Sequence, residues 1–73
     1  MSSSELEHLV KDFLEAKFGG ALDYFVIEGQ MSPDANGNMG VTGSYRKRTD
    51  NKNVFFTVTV NLGSRKIQNL QQY

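Results

Sequence analysis

The chain has 73 residues, no cysteine, one proline, and eight acids balancing eight lysines and arginines. That length admits a single domain, 1–73, near the lower limit for folding without staples, and the missing cysteines exclude a disulfide or a thiolate metal site. No apolar run approaches the roughly 18 residues of a membrane span. The zero net charge conceals an asymmetry: residues 1–36 carry seven acids and two lysines, residues 37–73 six basic residues and one acid.

Residues 4–18 read as an amphipathic helix. Leu6, Leu9, Val10, Phe13, Leu14 and Phe18 recur at the spacing of one helical face. Ser4 followed by Glu7 fits a capping box, Gly19-Gly20 supplies a left-handed stop, and Glu7–Lys11 and Lys11–Glu15 are spaced as outer-face pairs. His8, the single histidine, falls at the solvent edge one turn before Asp12. No second ligand accompanies it, and it reads as an ordinary surface residue.

Residues 21–31 predict a strand, rich in Tyr24, Phe25, Val26 and Ile27. With Phe25, Ile27 and Met31 inward, Phe25 lies beside Tyr45, Asp23 beside Lys47, and Tyr24 and Val26 point outward with Tyr24 across from Arg46. The opposite parity would bury Glu28, which is costly. Residues 32–38 are turn chemistry throughout, with Pro33 barring a central strand. Asp34-Ala35-Asn36-Gly37-Asn38 matches the opening of a calcium loop, but Met39 stands where that loop needs glycine and Tyr45 where it needs glutamate. Asx turns are the expected organisation.

Residues 39–49 and 52–62 alternate as a β-hairpin. A two-residue turn at Asp50-Asn51 pairs Tyr45 with Phe56, Gly43 with Val58, Val41 with Val60 and Met39 with Leu62 on the inner face. Gly43, facing Val58, then leaves room for a helix side chain such as Phe13. On the outer face the same register sets Arg46 against Phe55, Ser44 against Thr57 and Thr42 against Thr59. After Gly63-Ser64, residues 66–71 offer only Ile67 and Leu70, favouring a short edge strand over one turn of helix. Gln71-Gln72-Tyr73 is expected to fray.

The fold class expected is α+β: one N-terminal amphipathic helix on a three- to four-stranded antiparallel meander, in two layers. The order of helix then meander, closing with V-F-F-T-V-T-V-N-L-G-S-R-K-I-Q-N-L, is similar in outline to small cystatin-like or PepSY-type modules. That resemblance implies an inhibitor or binding appendage without catalytic residues.

No nucleophile stands in an activating context, and Gly37, Gly40 and Gly43 lack the lysine and following helix of a phosphate loop. The chain therefore reads as non-enzymatic, with no cofactor and no metal. The candidate site is the outer sheet face, where Tyr24, Arg46 and Phe55 would form a cross-strand row beside Lys47, Arg48 and Lys52. Aromatics and arginine are the residue types enriched in interface cores. The expected function is a protein-interaction module that self-associates through this face or an edge strand. The alternative is single-stranded nucleic-acid binding, with Tyr24 and Phe55 stacking on bases and the basic residues neutralising phosphates. The acidic helix and zero net charge weigh against that alternative. The N-terminal sequence Met-Ser-Ser-Ser-Glu has no basic stretch leading into an apolar one, so a cytoplasmic protein is expected.

Overall fold

The structure, a computed structural model, describes residues 2–73. Helix α1 (Ser3–Phe18) is followed by strands β1 (Leu22–Gln30), β2 (Asn38–Lys47), β3 (Val54–Asn61) and β4 (Ile67–Gln72). The strands form one antiparallel sheet in the order β1-β2-β3-β4, and the helix covers one side of it. This is the two-layer α+β domain expected, and the last segment is an edge strand. No described helix is long and apolar enough to cross a membrane.

The helix starts earlier than its sequence suggests. Ser2, not Ser4, is the cap, its side chain accepting the Glu5 N–H at 3.1 Å. Ser2-Ser3-Ser4-Glu5 offers the same S-x-x-E spacing as Ser4–Glu7, and capping at Ser2 adds residues to the helix without losing the cap. Gly19 closes the other end at φ 73°, donating to the Glu15 carbonyl. The Glu15 carboxylate accepts the Leu22 N–H at 3.0 Å, tying the helix to the start of β1, and no Lys11–Glu15 ion pair forms. Leu6, Val10 and Leu14 are buried, with Leu9, Phe13 and Phe18 packed beside them. A helix of this length is marginal alone in water, so this stripe is what holds it.

The hairpin keeps its expected faces but not its expected partners. Tyr45 faces Val54, Gly43 faces Phe56, Val41 faces Val58 and Met39 faces Val60. The strands are thus displaced by two residues, and residues 48–53 connect them in place of a two-residue turn. An Asp50 N–H to Lys47 carbonyl bond and a Lys52 N–H to Asp50 Oδ1 bond shape that connection. Side chains alternate with period two, so the displacement preserves the inner set. It also sets the Phe56 ring over the residue that has no side chain. A Cβ on Gly43 would lie 2.9 Å from Phe56 Cζ and 2.2 Å from the Val26 carbonyl oxygen. Gly43 therefore makes room for Phe56 and not for Phe13, and Leu62 lies half-buried in the turn after β3.

β1 pairs with β2 as expected at Tyr24–Arg46 and Phe25–Tyr45, but its register shifts on either side of that run. The shift between Leu22 and Tyr24 brings Leu22 into the core opposite Lys47 and releases Asp23, which pairs with Arg46 instead of Lys47. The shift between Ile27 and Gly29 reverses the parity beyond it. Met31 consequently leaves the core: its N–H bonds the Gly40 carbonyl, and its sulfur lies 3.0 Å from where a Gly40 Cβ would stand. The core itself is Leu6, Val10, Leu14, Leu22, Met39, Val41, Tyr45, Phe56, Val58 and Val60. Phe18 stacks on Tyr45 at 5.1 Å, and Phe25 and Tyr45 both approach Phe56 at 5.9 Å.

Candidate interaction face

The side of the sheet away from α1 is covered by no described element. The pairings arrange its residues in cross-strand rows. Tyr24 and Arg46 make the first; Val26, Ser44 and Phe55 the second; Thr42, Thr57 and Gln71 the third; Gly40, Thr59 and Gln68 the fourth. The Tyr73 N–H donates to the Phe55 carbonyl at 2.8 Å, so the chain end continues the ladder and Tyr73 stands beside Phe55. Its hydroxyl donates to Gln71 Oε1 at 3.2 Å on the same face. Met31, seated over Gly40, occupies the far end.

Four large apolar side chains remain exposed among the described residues: Tyr24 at 43%, Phe55 at 55%, Met31 at 69% and Tyr73 at 73%. All four lie on this face. Ser44, between Val26 and Phe55, is only 5% exposed, covered by its taller neighbours. Arg46 is held at one end by Asp23 at 3.2 Å, with its guanidinium 5.8 Å from the Tyr24 ring centre. Both partners of that ion pair are partly solvated, so it contributes no more than about 1 kcal/mol. Its larger effect is to leave the face close to neutral.

The six predicted residues do not form one patch. Tyr24 and Arg46 are adjacent as expected, but the two-residue displacement moves Phe55 one row along, opposite Ser44 and not Arg46. Lys47 turns to the other side of the sheet, its Nζ 4.2 Å from the centre of the Phe18 ring. Arg48 and Lys52 are exposed in the connection beyond the strands. Lys47 and Arg48, with Phe18, Gly20 and Ala21, border a shallow cleft of about 240 Å³ at the end of α1. Sequence reasoning missed Met31 and Tyr73. Gly29 within β1 was the available signal for the first, since a strand glycine often marks a bulge.

The Asp34 loop is organised by Asx turns. One carboxylate oxygen, Oδ1, accepts the Asn38 and Asn36 N–H groups at 2.9 and 2.8 Å, and these bonds, Asn38 foremost, hold the Asp34 carboxyl below its ordinary value of 3.8. Burial, then the charge of Asp50, raises the Tyr45 phenol above its ordinary value of 10.0. His8 and Asp12 are both exposed on the helix, and no group of three or more His, Cys, Asp or Glu is placed to hold a metal among the described residues.

Fold and face together define a small α+β domain with one sheet surface open and four large apolar side chains exposed along it. No protein-family model, curated protein or solved structure matches the chain.

Proposed function

We propose that the protein is a non-enzymatic, cytoplasmic interaction module that self-associates by stacking the open face of its sheet on that of a second copy. The observation that carries this reading is the gathering of Tyr24, Met31, Phe55 and Tyr73 on one face. Its charge favours a second copy: with Arg46 neutralised by Asp23, two such faces meet without like-charge repulsion. The sheet edges are poorer routes. β1 is irregular at two points, and β4 shifts register about Asn69, which has φ 58°. Such bulges blunt an edge against strand addition. The absence of cysteine fits the reducing cytoplasmic setting proposed.

Sedimentation across a wide concentration range tests the proposal. The wild-type chain should shift reversibly from monomer to dimer, and Phe55→Glu or Arg46→Glu should hold it as monomer while leaving its fold intact. A chain that stays monomeric at millimolar concentration overturns the reading. Nucleic-acid binding is the second reading, supported by the exposed rings of Tyr24 and Phe55 with Arg48 and Lys52 near one end of the sheet. Single-stranded DNA and RNA titrated at low and high salt decide it. Absence of binding at low salt removes it, because counterion release helps most there.

A further inference from the structure

The loop between β1 and β2 carries the chain's single Asn-Gly dipeptide, Asn36-Gly37. Glycine has no Cβ to hinder its own backbone nitrogen from reaching the side-chain carbonyl carbon of the preceding asparagine. Asn36 is exposed, so water and hydroxide reach it freely. Asn51, Asn53 and Asn69 are exposed as well, but Lys52, Val54 and Leu70 follow them.

In the folded chain every backbone polar group of the dipeptide is engaged. The Asn36 N–H donates to Asp34 Oδ1 at 2.8 Å, and the Gly37 N–H donates to the Asp34 carbonyl at 3.0 Å. The Asn36 carbonyl accepts from Asn61 Nδ2 at 3.1 Å, and the Gly37 carbonyl accepts the Leu62 N–H at 2.9 Å. The Asn61 Nδ2 also donates to Asn38 Oδ1 at 2.9 Å, while its Oδ1 accepts from Gly63, Ser64 and the Ser64 hydroxyl. The Asn61 side chain and the Leu62–Gly37 backbone bond together fasten the loop to the β3–β4 turn.

We propose that Asn36 is a site of spontaneous deamidation through a cyclic imide, and that Asn61 keeps the site closed in the folded protein. In the reaction hydroxide removes the Gly37 N–H proton, and the nitrogen attacks Asn36 Cγ. The new N–C bond closes a five-membered ring, and the side-chain nitrogen departs as ammonia with a proton from water. Water then opens the ring at either carbonyl, leaving aspartate or its β-linked isomer. No electrons are transferred, and water is the only co-reactant. Attack requires the Gly37 N–H to leave the Asp34 carbonyl and its peptide to rotate, so the folded chain reacts through a local opening. The product places a second carboxylate beside Asp34, in a loop built around one.

The test incubates the full chain at 37 °C in mildly alkaline buffer, folded and in urea. Peptide mass mapping follows conversion, and chromatography separates the two aspartyl isomers. Conversion should be confined to Asn36 and be slower in the folded state. Asn61→Ala should accelerate the folded chain about tenfold, the equilibrium factor for losing one or two net hydrogen bonds, without changing the unfolded rate. Should that variant fold poorly, the wild type below its unfolding transition serves instead. There, Gly37 amide exchange and Asn36 conversion should rise together with urea. Equal rates folded and unfolded, first conversion at Asn51, Asn53 or Asn69, an unchanged rate in folded Asn61→Ala, or conversion that follows only global unfolding would each overturn the proposal.

Discussion

Asn61 is a half-buried amide whose nitrogen and oxygen serve two different loops. Exchanging the amide for a carboxylate keeps the acceptor but replaces the donor with an oxygen set against Asn36 O and Asn38 Oδ1. Asn61→Asp should therefore destabilise by about 1–3 kcal/mol, read from the urea midpoint. Gly43 is constrained by space and not by backbone angle. Gly43→Ala would press a methyl against the Val26 carbonyl and Phe56, and should cost about 2–4 kcal/mol by the same measurement. Asp34 yields a pH dependence. Its folded pKa lies below its unfolded value of 3.8, so its stabilisation is complete above that value and lost as pH falls through the folded pKa. The gap in urea midpoint between wild type and Asp34→Ala should be steady at neutral pH and close below pH 3.8. Tyr45 behaves oppositely. Its phenol ionises first in the unfolded chain, so stability falls as pH rises above 10.0.

Each element pairs a readable periodicity with a partner that periodicity does not name. In α1 the buried positions Leu6, Val10 and Leu14 are those of the apolar stripe, and Leu14→Ala should cost about 2–5 kcal/mol, since Leu14 is wholly buried. Ser2→Ala, by contrast, should cost about 1 kcal/mol, and Ser4→Ala nearly nothing, because only Ser2 caps. The two substitutions compared by thermal unfolding separate the observed cap from the expected one. In the hairpin, alternation identifies the inward residues of β2 and β3, yet two registers two residues apart satisfy it equally. The choice between them depends on the Phe56 ring fitting over Gly43, a contact between strands. In β1 alternation fails past Ile27, because one extra residue in the strand reverses which side every later side chain takes.

On the scale of the whole molecule the single helix cannot cover both sides of a four-stranded sheet. Four strands at about 4.8 Å spacing and eight residues at about 3.3 Å rise make a face of roughly 500 Å². Stable interfaces bury about 800 Å² per partner, so the proposed dimer belongs to the weak, concentration-dependent class. Dissociation in the micromolar range or above is the expected result of sedimentation. The face contributes little to folding, so Phe55→Glu should change the stability read from the urea midpoint by less than about 0.5 kcal/mol while abolishing association. Those two readouts separate an interface residue from a core residue. Phe56→Ala, one position along and wholly inside, should do the reverse and cost about 3–5 kcal/mol.

By itself the sequence determined the element order, the helix stripe, the two hairpin faces, the Asp34 turn and the Tyr24–Arg46 pairing. Each of these follows from local periodicity, from backbone preferences, or from the burial cost of a charge such as Glu28. Only the tertiary structure decided the Gly43–Phe56 register, the exits of Met31 and Asp23 from their expected places, and the joining of two loops through Asn61. These depend on volumes and hydrogen-bond partners meeting across strands far apart in the chain, where alternation is the same for every second register. The gathering of Tyr24, Met31, Phe55 and Tyr73 on one face is of that second kind. A bulge turns Met31 outward, a displaced register moves Phe55, and a final ladder bond fixes Tyr73 beside it.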